Sequence, residues 1–168
     1  QSRNHRLHEM LLDKVDIRKE NVYIPDGTVP QEYVSQYCAE FDKKARNLDL
    51  LVIGIGEDGQ VGFNEAGSNE KTRTRTVRLS YKSRKRQAKN FNHDITATPQ
   101  SAITMGIGTM LTAGRIVLMA WGEDKARAVK AIAEGEMTSA CPASLLQRHD
   151  HIHFFVDETA ASLLTRVV

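Results

Sequence analysis

Residues 48–55 form a run that is nearly all apolar and shows no alternation with polar residues. That pattern predicts a parallel strand buried on both faces of an α/β sheet. The run leads directly into a glycine-rich turn at 54–62, and further strand-sized apolar segments follow at 103–105, 116–121 and 152–156. Between them lie stretches that read as helices, at 83–91, 109–112, 124–133 and 159–165. A repeated strand-then-helix order predicts a doubly wound, mainly parallel sheet with helices on both faces, a Rossmann-like three-layer α/β fold. Sites in such folds sit at the carboxyl ends of the strands.

The N-terminal part is less regular. Leu7, Met10, Leu11 and Val15 recur at helical spacing and predict an amphipathic helix over 3–14. Residues 21–25 read as a short strand ending in turn residues, and Pro30 opens a helix over 31–46. Residues 72–80 alternate Thr and Arg before turning apolar, as a strand leaving the core would. At 168 residues the chain is long enough for one domain with a sizeable core and too short for two ordinary ones.

Several classes are excluded or set aside by composition. With 40% hydrophobic and 26% charged residues the chain is neither disordered nor collagenous, and its apolar runs are far too short to span a bilayer. Lys+Arg 23 against Asp+Glu 21 leaves a formal charge of +2, without the basic excess of a nucleic-acid binder. Cys38 and Cys141 fit neither a metal-ligand spacing nor a disulfide framework, so a reduced, cytoplasmic compartment is expected. The chain opens at Gln1, and residues 1–15 carry charges where a signal peptide needs an apolar core.

Chemistry concentrates in Gly54-Ile55-Gly56-Glu57-Asp58-Gly59-Gln60-Val61-Gly62-Phe63-Asn64-Glu65. A glycine-dense turn after a buried strand lets backbone N–H groups approach a ligand and returns two carboxylates, Asp58 and Glu65, toward one pocket. From the residues alone the same loop is equally a structural turn with solvated acids.

The motif Asp-Gly-x-x-x-Phe-Asn-Glu at 58–65 is followed by Arg73-Thr74-Arg75, Ile103-Thr104-Met105-Gly106-Ile107-Gly108-Thr109, Gly122-Glu123-Asp124-Lys125 and Pro142-Ala143-Ser144-Leu145-Leu146-Gln147-Arg148-His149. In order and spacing these resemble the glucosamine-6-phosphate deaminase/isomerase family, and the Phe-Asn-Glu ending is more similar to the deaminases than to their 6-phosphogluconolactonase relatives. The resemblance implies conversion of glucosamine 6-phosphate to fructose 6-phosphate and ammonia by aldose-to-ketose isomerisation, without a metal or redox cofactor. It implies catalytic roles for Asp58, Gln60 and Glu65 at the ring oxygen, with Gly54 lining the sugar and Lys125 and Lys89 holding the phosphate. Gln60 occupies a position where the family has a histidine; an amide can donate and accept hydrogen bonds but cannot serve as a general acid or base. Against the family pattern the chain is expected to be a single domain, 1–168, truncated at its N-terminus and lacking the aspartate that performs enolisation. Little activity is therefore expected of it alone.

A non-catalytic sugar-phosphate sensor and a galactosamine-6-phosphate isomerase are the competing expectations. The resemblance further implies a homo-oligomer whose partner is a small sugar phosphate rather than nucleic acid or membrane. In allosterically activated members the region around 71–89 meets a neighbouring subunit; Arg75 matches an arginine used there, whereas Val77 replaces a lysine. His149, His151 and His153 alternate as on one strand face but lack an evident fourth metal ligand.

Overall fold

The computed structural model describes residues 3–165. Two compact units are present, one made of the chain through Val29 together with Arg78–Ala102, the other of Pro30–Val77 together with the chain from Ile103 onward.

In the first unit, α1 (Arg3–Met10) is followed by short 3-10 turns at Leu12–Lys14 and Lys19–Asn21. The predicted helix over 3–14 is thus an α-helix to Met10, a break at Leu11 (φ −136°) and a separate 3-10 turn. No strand forms at 21–25, where the backbone is irregular. Helix α3 (Tyr81–Gln87) begins at Ser80, whose hydroxyl accepts the Ser83 N–H at 3.2 Å and so satisfies one of the donors that a helix start leaves open. Arg84 donates from Nη2 to the Ile95 carbonyl at 2.8 Å and ties the helix to the segment that follows it.

The second unit carries the main sheet. Helix α2 (Val34–Lys44) buries Val34, Cys38 and Asp42, spaced four apart on one face. Strands β1 (Leu51–Gly54), β4 (Ile116–Ala120) and β5 (Ile152–Val156) pair in the order β1-β4-β5, all parallel, with Leu51 beside Ile116 and Ile116 beside Ile152. Strands β2 (Arg75–Arg78) and β3 (Ser101–Thr104) form a separate two-stranded sheet, so the segment predicted to leave the core does leave the main sheet.

One face of the main sheet is packed. Ile116, Leu118 and Ala120 point into a core shared with α4 (Ile107–Met110), α5 (Ala126–Ala133) and the 3-10 helix Pro142–Arg148, where Ile107, Ile132 and Leu146 have no exposed surface. The opposite face differs from the expectation of burial on both sides. Register places Val52, Val117 and His153 in one row and Gly54, Met119 and Phe155 in the next, and Val52 and Phe155 are 55% and 57% exposed. An unbroken apolar run reports that a strand can be covered twice; coverage itself depends on what is packed there.

The helix predicted at 159–165 is instead a series of turns. Asp157 accepts the Ala160 N–H at 2.8 Å, and the Leu163 carbonyl accepts from Lys130 Nζ at 2.9 Å. The Asp157 contact is that of a helix cap, but the Thr165 N–H, which a continued helix would pair, goes to Glu134 Oε1 at 2.7 Å. No helix among the described residues is long and apolar enough to cross a membrane.

Candidate active site

The loop that leaves β1 turns back at once. Ile55 bridges Val61, the Gly56 N–H donates to the Gln60 carbonyl at 2.8 Å, and the Gly59 N–H donates to the Gly56 carbonyl at 3.0 Å. Gly59 has φ +72°, and a Cβ built there would lie 2.2 Å from Cys141 Sγ. Only glycine satisfies both conditions. Its carbonyl accepts the Ala143 N–H at 2.9 Å, which fastens the loop tip to the Pro142–Arg148 helix.

The three residues singled out on this loop occupy different environments. Asp58 is exposed, Gln60 is buried and Glu65 is half-buried. Gln60 donates from Nε2 to the Gly62 carbonyl at 3.0 Å, so its amide orientation is set by the loop itself. Cys141 lies within electrostatic reach of Asp58; burial pushes its thiol pKa up, the Ser144 N–H opposes that, and the Asp58 carboxylate adds to it.

Gly54 and Lys125 meet in one concavity of about 410 Å³ at the carboxyl ends of β1 and β4, together with Ile55, Met119 and Trp121. Asp58, Gln60 and Glu65 do not line it. Lys125 Nζ pairs with Asp124 Oδ2 at 2.9 Å. The Gly122 N–H ahead of Lys125 donates to both Asp157 oxygens, at 3.1 and 3.2 Å, so this N–H is already engaged. The Asp157 carboxyl is held below its usual pKa by the Ala160 N–H first, against a smaller desolvation effect, and then by the Gly122 N–H and the Thr159 hydroxyl. Lys89 lies on the 3-10 turn Ala88–Asn90 of the first unit and is exposed.

Sequence reasoning did not foresee the grip on Asn64. This side chain has no exposed surface; Nδ2 donates to the carbonyls of Val61 at 2.9 Å and Met105 at 2.8 Å, and Oδ1 accepts from Arg75 Nη1 at 2.9 Å. Its place between Phe63 and Glu65 in the loop motif was the available signal. Trp121, 54% exposed beside Lys125, was likewise passed over because it ends an apolar run. Both ring nitrogens of His149 are engaged, Nδ1 accepting from the His151 N–H at 3.1 Å and Nε2 facing the Ala113 carbonyl at 2.6 Å. That pairing fixes Nε2 as the protonated nitrogen.

Residues 1–154 match the family model for glucosamine-6-phosphate isomerases/6-phosphogluconolactonase. The chain belongs to that family. A glucosamine-6-phosphate deaminase of Bacillus subtilis is 39% identical over 166 residues, covering 98% of this chain and 67% of the relative. A glucosamine-6-phosphate deaminase-like protein of Bacteroides thetaiotaomicron is 41% identical over 96% of this chain and 25% of its own length. The solved structure of a monomeric glucosamine-6-phosphate deaminase superposes with a TM-score of 0.86 at 33% identity, over 95% of this chain and 66% of that one. The isomerase/lactonase family fold, a parallel α/β sheet with helices, is therefore the fold of this chain. It spans about two-thirds or less of each of these relatives.

Proposed function

We propose that this family member contributes the sugar-handling loop and a phosphate-side lysine to a glucosamine-6-phosphate deaminase that yields fructose 6-phosphate and ammonia in amino-sugar breakdown. One observation carries the reading: the Asp58–Gln60–Glu65 loop leaves the same strand end that forms, with Lys125, the open concavity. In this assignment Asp58 and Glu65 exchange protons at the ring oxygen, and Gln60 holds a hydrogen bond between them. Gly54 lets the sugar approach the backbone, and Lys125 exchanges its Asp124 partner for the phosphate dianion. The reading also takes the protein as a cytoplasmic homo-oligomer, which light scattering tests directly; the solved relative is described as monomeric.

Gln60 favours a second reading, a sugar-phosphate sensor, because a buried amide bonded to its own loop keeps polarity without acid–base chemistry. Two measurements separate them. Fructose 6-phosphate titrated by calorimetry should bind the wild type and bind Lys125→Ala more weakly by about 1.5–3 kcal/mol, the usual loss for a charge-assisted contact. Equal affinities would remove Lys125 from the site. Release of ammonia from glucosamine 6-phosphate supports the enzyme; binding without release, by the galactosamine epimer as well, supports the sensor.

A further inference from the structure

The turn that carries Glu65 is held from outside by the Ser139 carbonyl, which accepts the Gly67 N–H at 2.9 Å, and by one guanidinium. Arg75, on β2, donates from Nη1 to Asn64 Oδ1 at 2.9 Å and from Nη2 to Ser68 Oγ at 3.1 Å. Nη1 also reaches the Arg73 carbonyl at 3.3 Å. Asn64 and Ser68 flank the turn that Glu65 begins, and the turn is closed from within by the Ser68 N–H donating to the Glu65 carbonyl at 3.1 Å. Asn64 is anchored in turn to Val61 and to Met105, beyond the end of β3. Every polar atom of the Asn64 amide therefore has a partner, and the acceptor side depends on Arg75. Burial pushes the Arg75 pKa down from its ordinary value, yet a guanidinium stays charged.

We infer that Arg75 is a positioning residue, a two-armed clamp that holds Glu65 in register for proton transfer through Asn64 and Ser68. The fork is what suits it to the task. Two donors in one rigid plane fix the distance between the two ends of the turn, whereas an ammonium reaches one end at a time. The inference rests on Glu65 having the proton-handling role proposed above.

The test uses Arg75→Gln, Arg75→Lys and Ser68→Ala in the full chain. Steady-state deamination gives kcat and KM, calorimetry with fructose 6-phosphate gives Kd, and hydrogen exchange compares the Asn64 and Ser68 amides with those of β4. In Arg75→Gln, kcat should fall about 10- to 100-fold, the cost of a small misplacement of a reacting group. KM and Kd should stay within about threefold, because ground-state binding does not depend on the turn's register. Exchange at Asn64 and Ser68 should quicken while β4 stays protected. Arg75→Lys should recover part of kcat, and Ser68→Ala, which removes one arm, should fall between.

Unchanged kcat and unchanged exchange in Arg75→Gln would overturn the clamp. So would quickened exchange throughout β4, or complete rescue by lysine, either of which reduces Arg75 to a general stabiliser or a point charge. If the wild type neither binds fructose 6-phosphate nor releases ammonia, the proposed function falls, and exchange then decides the clamp alone: quickening confined to Asn64 and Ser68 upholds it, and none overturns it.

Discussion

Gly59 joins two constraints at one Cα, and they can be measured apart. Its left-handed φ would cost an L-residue about 1–2 kcal/mol, and the 2.2 Å approach to Cys141 Sγ adds an overpacking cost of about 1–3 kcal/mol. Urea denaturation of Gly59→Ala should show both losses. Cys141→Ala in the same background should return the second and leave the first; a double variant no more stable than Gly59→Ala would place the strain elsewhere. Gln60 offers a test of chemistry at the same scale. A positioned acid–base group contributes about 10²–10⁴-fold, so Gln60→His should raise kcat with little change in KM. Its rate should acquire a pH dependence near the histidine range of about 6–7. An unchanged kcat in a folded, sugar-binding variant would favour the sensor.

Between elements, the strongest polar junction is Asp42. From α2 its carboxylate accepts the Thr74 N–H and hydroxyl, both at 2.9 Å, the Thr109 hydroxyl, and Arg46 Nε at 3.2 Å. It thus joins the helix to the segment before β2 and to α4. Burial alone would raise its pKa, but the bonds from Thr109, Thr74 and Arg46 together outweigh burial and hold it low. A carboxyl depressed in the folded state stabilises the fold above its unfolded pKa of about 4 and loses that contribution as pH falls toward the folded value. Asp42→Asn should therefore cost about 1–3 kcal/mol at neutral pH and flatten the acid limb of stability, as thermal unfolding between pH 2 and 7 would show. An acid limb identical to the wild type would assign it to other carboxylates.

Asp42 also marks where sequence reading stops. The strands at 116–120 and 152–156 are legible because their apolar runs are local, and the loop at 54–65 is legible because glycine and motif spacing are local. Partners 32 and 67 positions away, Thr74 and Thr109, leave no local trace on Asp42. The same holds for Arg75, whose alternation with threonine suggested a strand and concealed the inward fork. The helix expectation at 159–165 fails for the same reason: Glu134, 31 positions earlier, takes the Thr165 N–H.

Across the molecule, the two faces of the main sheet make opposite demands. Leu118 lies in the central strand with no exposed surface, and truncation to alanine should cost about 2–5 kcal/mol. Val52 belongs to the other face and is 55% exposed; Val52→Thr should stay within about 0.5 kcal/mol of the wild type. Chemical denaturation of the two variants checks the contrast, and a loss above 2 kcal/mol at Val52 would show that face to be covered in solution. The parallel register carries a further consequence, in time rather than energy. Leu51 pairs with Ile116, 65 positions later, and Ile116 with Ile152, another 36 on. A ribosome adding about 5–20 residues per second releases β1 roughly 3–13 seconds before its neighbour exists. During that interval an apolar strand with unpaired N–H and C=O groups is a substrate for chaperones, and slowing translation between codons 55 and 116 should lengthen its stay on them.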